Sequence, residues 1–233
     1  MINLSKVAIA GLLITTSLSA HQIFTVQQDK GYELKFWADD HWEEIKSDNV
    51  VGVSAFDKDG KQIKAGYDYK NNKIQSQGEV ALSVVMYDLG YYSFTQNEHF
   101  NKPRNEVSGT IYDTRRNLKF GKSVFSWSDE LSKPVGLKLE ITPLQNPLNL
   151  KQGDKLKVLV TLDGKPFSGA SFEDQNDDLD IKADEDGIAH IPLSAPRDGL
   201  SIIAAGVKLP FYIGDKLAQT LQLTCTLSFK QAK

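Results

Sequence analysis

Hydrophobic residues recur at every second position over most of this chain. Between residues 32 and 37, for example, Tyr32, Leu34 and Phe36 alternate with other side chains, which is typical of strands that bury one face. The same spacing predicts strands at residues 50–56, 80–87, 137–142, 155–162, 188–193, 200–207 and 219–229. Only residues 117–127 have a pattern that is compatible with a helix, and that pattern is weak. The chain is therefore predicted to be all-β.

Turn-forming dipeptides separate the predicted strands, which favours antiparallel sheets packed as sandwiches. These dipeptides are Asp59-Gly60, Gln77-Gly78, Asp163-Gly164, Asp186-Gly187 and Asp198-Gly199. A polar cluster at residues 128–130 and Pro134 interrupt the strand pattern. We therefore expect two β-sandwich domains, residues 21–133 and 134–233, of which the second is immunoglobulin-like or prealbumin-like. The first contains a long irregular span, residues 95–113, of the kind that often carries function.

The first 20 residues are typical of an export signal. Lys6 precedes an apolar run at residues 7–14, which is too short to span a bilayer and is followed by small residues. Cleavage after Ala20 would make His21 the first residue, whereas cleavage after Ser19 would leave Ala20 in front of it. A free amino group on His21 can chelate a metal together with its own Nδ1. We therefore expect a periplasmic protein that begins at, or one residue before, a histidine.

The composition argues against several classes of protein. The formal charge is −3, or −4 once Lys6 is removed with the signal, which does not favour a nucleic-acid partner. No apolar segment after residue 20 approaches membrane-spanning length, so we expect no membrane insertion of the mature chain. Cys225 is the single cysteine, and its alternating apolar neighbours predict an inert core thiol. The sequence also lacks serine and cysteine nucleophile motifs, a phosphate-binding glycine loop and an HExxH helix.

Histidines are the first candidates for a functional site. His21 stands at the expected start of the mature chain, and His41 lies in an acidic cluster at residues 39–44, which is either a ligand set or a solvated turn. His99, in the irregular span, is either a ligand or an exposed loop residue. His190 is on the polar face of its strand, so we expect it either to face solvent or to have its hydrogen bonds satisfied within the fold. Because imidazole suits nickel, copper, zinc and cobalt, the predicted metal ligands are His21, His41 and His99.

A hairpin would bring two of these histidines together. If residues 23–26 pair with residues 32–37, the end of the second strand returns beside His21, and His41 follows directly after it. His99 would reach the same edge from its long loop. We expect the effect on metal affinity to be largest for His21 and His41, smaller for His99, and close to zero for His190 in the second domain.

Several segments resemble periplasmic proteins associated with bacterial nickel and cobalt uptake, which are accessory or substrate-specific components of energy-coupling-factor importers. The more specific similarity lies in residues 90–95, 101–107 and 112–122. Their sequences are Gly90-Tyr91-Tyr92-Ser93-Phe94-Thr95, Asn101-Lys102-Pro103-Arg104-Asn105-Glu106-Val107 and Tyr112-Asp113-Thr114-Arg115-Arg116-Asn117-Leu118-Lys119-Phe120-Gly121-Lys122. Residues 147–154, 162–166 and 184–187 are similar to the carboxy-terminal sandwich of the same proteins, in a pattern shared with many extracellular β modules.

The resemblance implies a start at or beside His21 and a second histidine, His41, at the end of the first long strand. In the family a proline follows this second histidine, where this chain has Trp42. The resemblance also supplies nickel as the expected metal and an inner-membrane metal importer as the expected partner. The leading hypothesis is thus a non-enzymatic metal-binding accessory protein. The alternatives are a copper histidine-brace protein or oxygenase and a structural or adhesive β-sandwich protein.

Overall fold

The computed structural model describes residues 21–28, 31–38, 41–210 and 215–232, and their regular structure is almost entirely strand. The strands are β1 (Gln22–Gln28), β2 (Gly31–Ala38), β3 (His41–Glu43), β4 (Val50–Phe56), β5 (Gln62–Ile63), β6 (Ala65–Asp68), β7 (Lys73–Ser76), β8 (Leu82–Thr95), β9 (His99–Phe100), β10 (Ile111–Val124), β11 (Leu139–Pro143), β12 (Lys155–Leu162), β13 (Lys165–Pro166), β14 (Ser171–Asp174), β15 (Asp178–Leu179), β16 (Ile188–Pro192), β17 (Leu200–Pro210) and β18 (Thr220–Lys230). The prediction of an all-β chain is confirmed.

The helices of the described residues are short 3-10 turns at Ser47–Asn49, Arg104–Glu106, Asp129–Ser132 and Pro147–Asn149. Within this part of the chain, no helix is both long and apolar enough to cross a membrane. The segment with a helix-compatible pattern, residues 117–127, lies mostly in β10 instead. Its residues pair with β8 on one side and β18 on the other, and these two ladders of hydrogen bonds override a weak local preference.

The strands form three sheets. The central, nine-stranded sheet has the order β15-β14-β17-β18-β10-β8-β4-β5, with β9 paired to β8. A five-stranded sheet has the order β1-β2-β7-β6, with β3 paired to β2, and a four-stranded sheet has the order β11-β12-β13, with β16 paired to β12. Most pairs are antiparallel, but β10 and β18 run parallel from Arg115↔Thr220 to Val124↔Phe229.

The central sheet is covered on both faces, because successive side chains of a strand point to opposite sides. On β8, Val84 joins a core that includes Ile141 and Val158 from the four-stranded sheet. Its neighbour Val85 joins a second core that includes Phe36 from the five-stranded sheet. The sandwich character expected from the alternating pattern is thus present on each side of one shared sheet.

Strands from the two sides of residue 134 occupy opposite ends of the central sheet. The first half supplies β10, β8, β4 and β5, and the second half supplies β15, β14, β17 and β18, so the two sets meet at β10 and β18 and do not alternate. The division into domains at 21–133 and 134–233 stays a prediction. The same holds for the immunoglobulin-like or prealbumin-like topology of the second domain, whereas the predicted export signal lies outside the described residues.

Strand β1 crosses closely over β10, and Gly121 allows the close approach. A Cβ at Gly121 would overlap the carbonyl oxygen of Ile23 and would lie 2.7 Å from Val85 Cγ1. The backbone N–H of Thr25 donates to Ser123 Oγ at 2.8 Å, which fixes β1 along the same strand. These contacts determine where the start of β1, and with it His21, lies on the central sheet.

The predicted hairpin is confirmed. Strands β1 and β2 pair antiparallel from Gln22↔Trp37 to Gln28↔Gly31. On its other side β2 pairs with β3, in which His41 lies opposite Ala38 of β2. His21 and His41 therefore lie at the same end of the five-stranded sheet, but β2 runs between them.

Candidate functional site

A cavity of about 630 Å³ opens where the five-stranded sheet meets the central sheet. It continues the apolar layer between these sheets, with Phe36 on one side and Tyr87 on the other, whose ring centroids are 5.4 Å apart. Its remaining lining residues are His21, Glu43, Glu44, Lys46, Leu89, Tyr92, Phe94, His99, Asn101, Arg115, Asn117, Lys119 and Gln222. The cavity is thus mostly polar beyond an apolar inner end.

One wall of the cavity is formed by β8, in which a β-bulge changes the direction of the side chains. The register between β8 and β10 shifts at Leu89, next to Gly90, which has a φ of +90°. Such an extra residue reverses the alternation of the strand beyond it. The residues of β8 that line the cavity are accordingly Tyr87, Leu89, Tyr92 and Phe94.

The floor of the cavity is a row of polar side chains on β10. Arg115, Asn117 and Lys119 stand two residues apart, so they share one face of the strand. Gln222 of β18, which pairs with Asn117, extends the row sideways. The cavity therefore has cationic and amide donors on β10 and β18, and His21 lines it from the residue before β1.

Lys119 is almost completely buried, with 4% of its surface exposed, and it donates to Thr224 Oγ1 at 3.0 Å. Burial lowers the pKa of its ammonium to about 8, in spite of the neighbouring Glu173 carboxylate. Burial also raises the pKa of Glu173 to about 7, against the hydrogen bond that Gln22 donates and the charge of Lys119. Because Gln22 directly follows His21, this network connects the start of β1 to the floor.

Arg115 is held in place on two sides. Its Nε donates to Asp113 Oδ2 at 2.6 Å, and its guanidinium lies 4.6 Å from the centre of the Phe94 ring. Burial alone would raise the pKa of Asp113, but hydrogen bonds from Lys208 and Arg115 outweigh it and hold that pKa below its ordinary value. These contacts fix Arg115, which lines the cavity.

Two of the three predicted metal ligands line this cavity. The ring of His21 lies 5.9 Å from that of Phe36, and the ring of His99 lies 5.9 Å from that of Phe94. His21 is the residue before β1, whereas His99 is the first residue of β9, which pairs with the end of β8. The irregular span thus brings His99 to the cavity that His21 also lines.

The third predicted ligand, His41, is not among the described residues that line the cavity. Its side chain is 61% exposed on β3, and its Nε2 lies 3.7 Å from Oε1 of Glu43, which does line the cavity. His190 is exposed on β16, where it pairs with Lys157 of the four-stranded sheet. The predicted solvent-facing position of His190 is therefore confirmed, and the cavity is lined by His21 and His99 but not by His41.

Two histidines line the cavity, but the described donors do not form a complete set of metal ligands. Among the described residues, no group of three or more histidine, cysteine, aspartate or glutamate side chains is arranged to hold a metal ion. Cys225 is completely buried, and burial raises the pKa of its thiol to about 12, which agrees with the inert core thiol expected from the sequence. A metal at His21 and His99 would consequently keep coordination positions open to other ligands.

A family model described as a domain of unknown function, DUF4198, matches residues 16–208. The chain belongs to the DUF4198 family. The match covers β1 to β17 up to Lys208, including His21, His99 and the floor of the cavity, whereas β18 follows it. Neither the curated proteins nor the solved structures contain a match to this DUF4198 chain.

Proposed function

We propose that this DUF4198 protein is a non-enzymatic, periplasmic carrier of a divalent transition metal, nickel or cobalt, which it delivers to an inner-membrane importer. The observation that carries the proposal is that His21 and His99, which are 78 residues apart in sequence, line one polar cavity. Neutral imidazole is a favourable ligand for both metals.

The position of His21 adds a second donor to this site. If residues 1–20 are removed as an export signal, the main-chain nitrogen of His21 becomes an amine that can form a chelate ring with its own Nδ1. The buried Gln22, anchored through its Nε2 to Glu173 at 3.1 Å, would hold this chelate at the cavity wall. The site would then offer three nitrogens from two residues.

An incomplete set of ligands suits a protein that hands its metal on. Closed sites with four protein ligands are typical of structural metals, whereas open positions allow an incoming ligand to enter the coordination sphere. A partner could therefore bind the metal before His21 and His99 release it. The inner-membrane importer that the sequence resemblance implies is the partner we propose.

The proposal is tested by calorimetric titration of nickel and cobalt into the untagged exported protein. We expect His21→Ala and His99→Ala each to weaken nickel binding at least tenfold, because each removes an imidazole from the cavity. His190→Ala is the matched control and should leave the affinity unchanged. His41→Ala should have an intermediate effect, through Glu43. If His21→Ala and His99→Ala both bound nickel and cobalt as tightly as the wild type, the proposal would be rejected.

A further inference from the structure

The cavity is far larger than a bare metal ion requires. If His21 and His99 bound a hydrated ion, about four water molecules would complete its coordination, and these occupy only about 120 Å³ in the liquid. The cavity measures about 630 Å³, which lies in the range of about 300–1,000 Å³ typical of sites for small organic ligands. The volume therefore points to a ligand that is larger than the metal itself.

The chemistry of the floor indicates what this additional ligand carries. Arg115 and Lys119 lie on the same face of β10, with Asn117 between them, and all three line the cavity. Lys119 uses one of its three N–H donors for Thr224, and Arg115 uses its Nε for Asp113. Ammonium and guanidinium donors in a sheltered site bind carboxylates by charge-assisted hydrogen bonds.

The acidic side chains that line the cavity come from a different sheet than the floor cations. Glu43 ends β3 and Glu44 follows it, so both belong to the five-stranded sheet side, together with Lys46. The carboxylates Asp113 and Glu173 that neighbour the floor cations are already engaged, by Lys208 and Arg115 and by Gln22. A negatively charged group on the floor would therefore meet cations first.

We propose that the cavity takes the metal together with a small amino- or hydroxycarboxylate chelator, whose carboxylates rest on Arg115 and Lys119 while His21 and His99 complete the coordination of the metal. This inference rests on the proposed function and specifies its substrate class. The chelator must leave at least two neighbouring positions of the metal open for the two imidazoles, and the His21 amine would bind only in place of one donor of the chelator.

Nickel nitrilotriacetate is a suitable probe, because this tetradentate aminocarboxylate leaves two neighbouring positions of nickel open for imidazoles. Calorimetry on the untagged exported protein would compare nickel ion alone, the preformed 1:1 nickel complex, and nitrilotriacetate without metal. We expect the complex to bind, and Arg115→Gln and Lys119→Met each to weaken it by about ten- to a hundredfold, as expected for the loss of charge-assisted hydrogen bonds. Binding of nickel ion alone should change less than about threefold in the same variants.

Arg116→Gln is the matched control, because Arg116 is the next residue of β10, points to the other face and donates to Asp88 at 2.8 Å. Thermal unfolding identifies any variant that fails to fold. If Lys119→Met does not fold, the result for Arg115→Gln, at the partly exposed end of the row, decides whether the inference holds. Complex binding that is equally sensitive to Arg115→Gln and Arg116→Gln would overturn the inference, as would a complex that does not bind to a protein that binds nickel ion through His21. Absence of binding of either form would instead overturn the proposed function.

Discussion

The side-chain amide of Gln22 donates a hydrogen bond of 3.1 Å to the carboxylate of Glu173, which lies 151 residues further along the chain. Both side chains are buried, and Gln22 directly follows His21. The start of β1 is thus fixed by a strand of the second half of the molecule, although the cavity that it borders is lined almost entirely by the first half. The geometry at His21 therefore depends on the whole central sheet.

The close contact of β1 with β10 can be tested at Gly121. We expect Gly121→Ala to lower the free energy of unfolding by about 1–3 kcal/mol, because the added methyl group would overlap the Ile23 carbonyl. The same change should weaken nickel binding, since β1 positions His21. Chemical denaturation and calorimetry measure the two effects. Gly66→Ala is the control, because a Cβ there meets no atom within 4 Å, and a loss as large as that of Gly121→Ala would refute the packing argument.

The buried charges beneath the cavity predict an unusual dependence of stability on pH. The pKa of Glu173 is raised from 4.5 to about 7, so its contribution to stability is present below pH 4.5 and is lost as pH rises to about 7. The pKa of Lys119 is lowered from 10.5 to about 8, so its contribution is present above pH 10.5 and is lost as pH falls to about 8. The combined contribution of these two groups to the free energy of unfolding is therefore expected to be lowest between about pH 7 and 8.

The double variant Lys119→Met/Glu173→Gln should remove that minimum. Replacement of buried charges by neutral groups of similar size is often neutral, or stabilising by about 1–4 kcal/mol, so we expect the largest gain in unfolding free energy near pH 7.5. Urea denaturation between pH 5 and 9 measures it. Lys138→Met/Asp163→Asn is the control, because this exposed pair, 2.9 Å apart, should contribute less than about 1 kcal/mol. A double variant with the same pH profile as the wild type would show that the two buried groups do not titrate abnormally.

A second buried pair joins β10 to β11. Lys122 Nζ lies 2.6 Å from Glu140 Oε1 with both side chains completely buried, and Glu140 also accepts hydrogen bonds from three consecutive backbone N–H groups, of which that of Val135 lies at 2.7 Å. We expect Glu140→Gln to lower the free energy of unfolding by about 3–5 kcal/mol. An amide cannot accept all of these hydrogen bonds, and it leaves the buried Lys122 ammonium without an opposite charge. Glu130→Gln breaks an exposed pair of the same 2.6 Å length and should cost less than about 1 kcal/mol.

The contribution of Glu140 should also depend on pH. Burial would raise the pKa of this carboxyl, but Lys122 and the backbone donors outweigh it, so the pKa lies below the ordinary 4.5. Stability from Glu140 is therefore present above about pH 4.5 and is lost as pH falls through the lowered pKa. Acid unfolding of Glu140→Gln should start from a lower stability and lack this component. If Glu140→Gln and the wild type lost stability equally as pH falls, the lowered pKa of Glu140 would be contradicted.

Much of the fold could be predicted because its strands follow the period of two. The bounds predicted at 50–56 and 155–162 coincide with β4 and β12, and β1 and β2 pair as the expected antiparallel hairpin. The pairing of β10 with β18 could not be predicted, since it joins segments about a hundred residues apart and local pattern carries no information on partners. The short strand β3 was missed because its three residues are all exposed.

The site could be predicted only in part. His21 and His99, which were selected because imidazole is a distinctive ligand, both line the cavity. Lys119 was missed because it lies in residues 117–127, whose pattern was interpreted as weakly helical, and Arg115 was missed because it lies just before them, where no strand was predicted. Gly90 within a strand was the signal for the bulge, because an isolated glycine in a strand often marks one. Its effect on the direction of Tyr92 and Phe94 depends on the register with β10, which the sequence does not reveal.

The place of β18 in the middle of the central sheet imposes an order of assembly. This strand leaves the ribosome after all the other described strands, yet it fills the gap between β17 and β10. Until Thr220–Lys230 arrives, both neighbours expose unpaired edges, and the long separation of the partners makes closure slow. The architecture therefore delays completion of the central sheet until Thr220–Lys230 is available, when all the other described strands have already been synthesised.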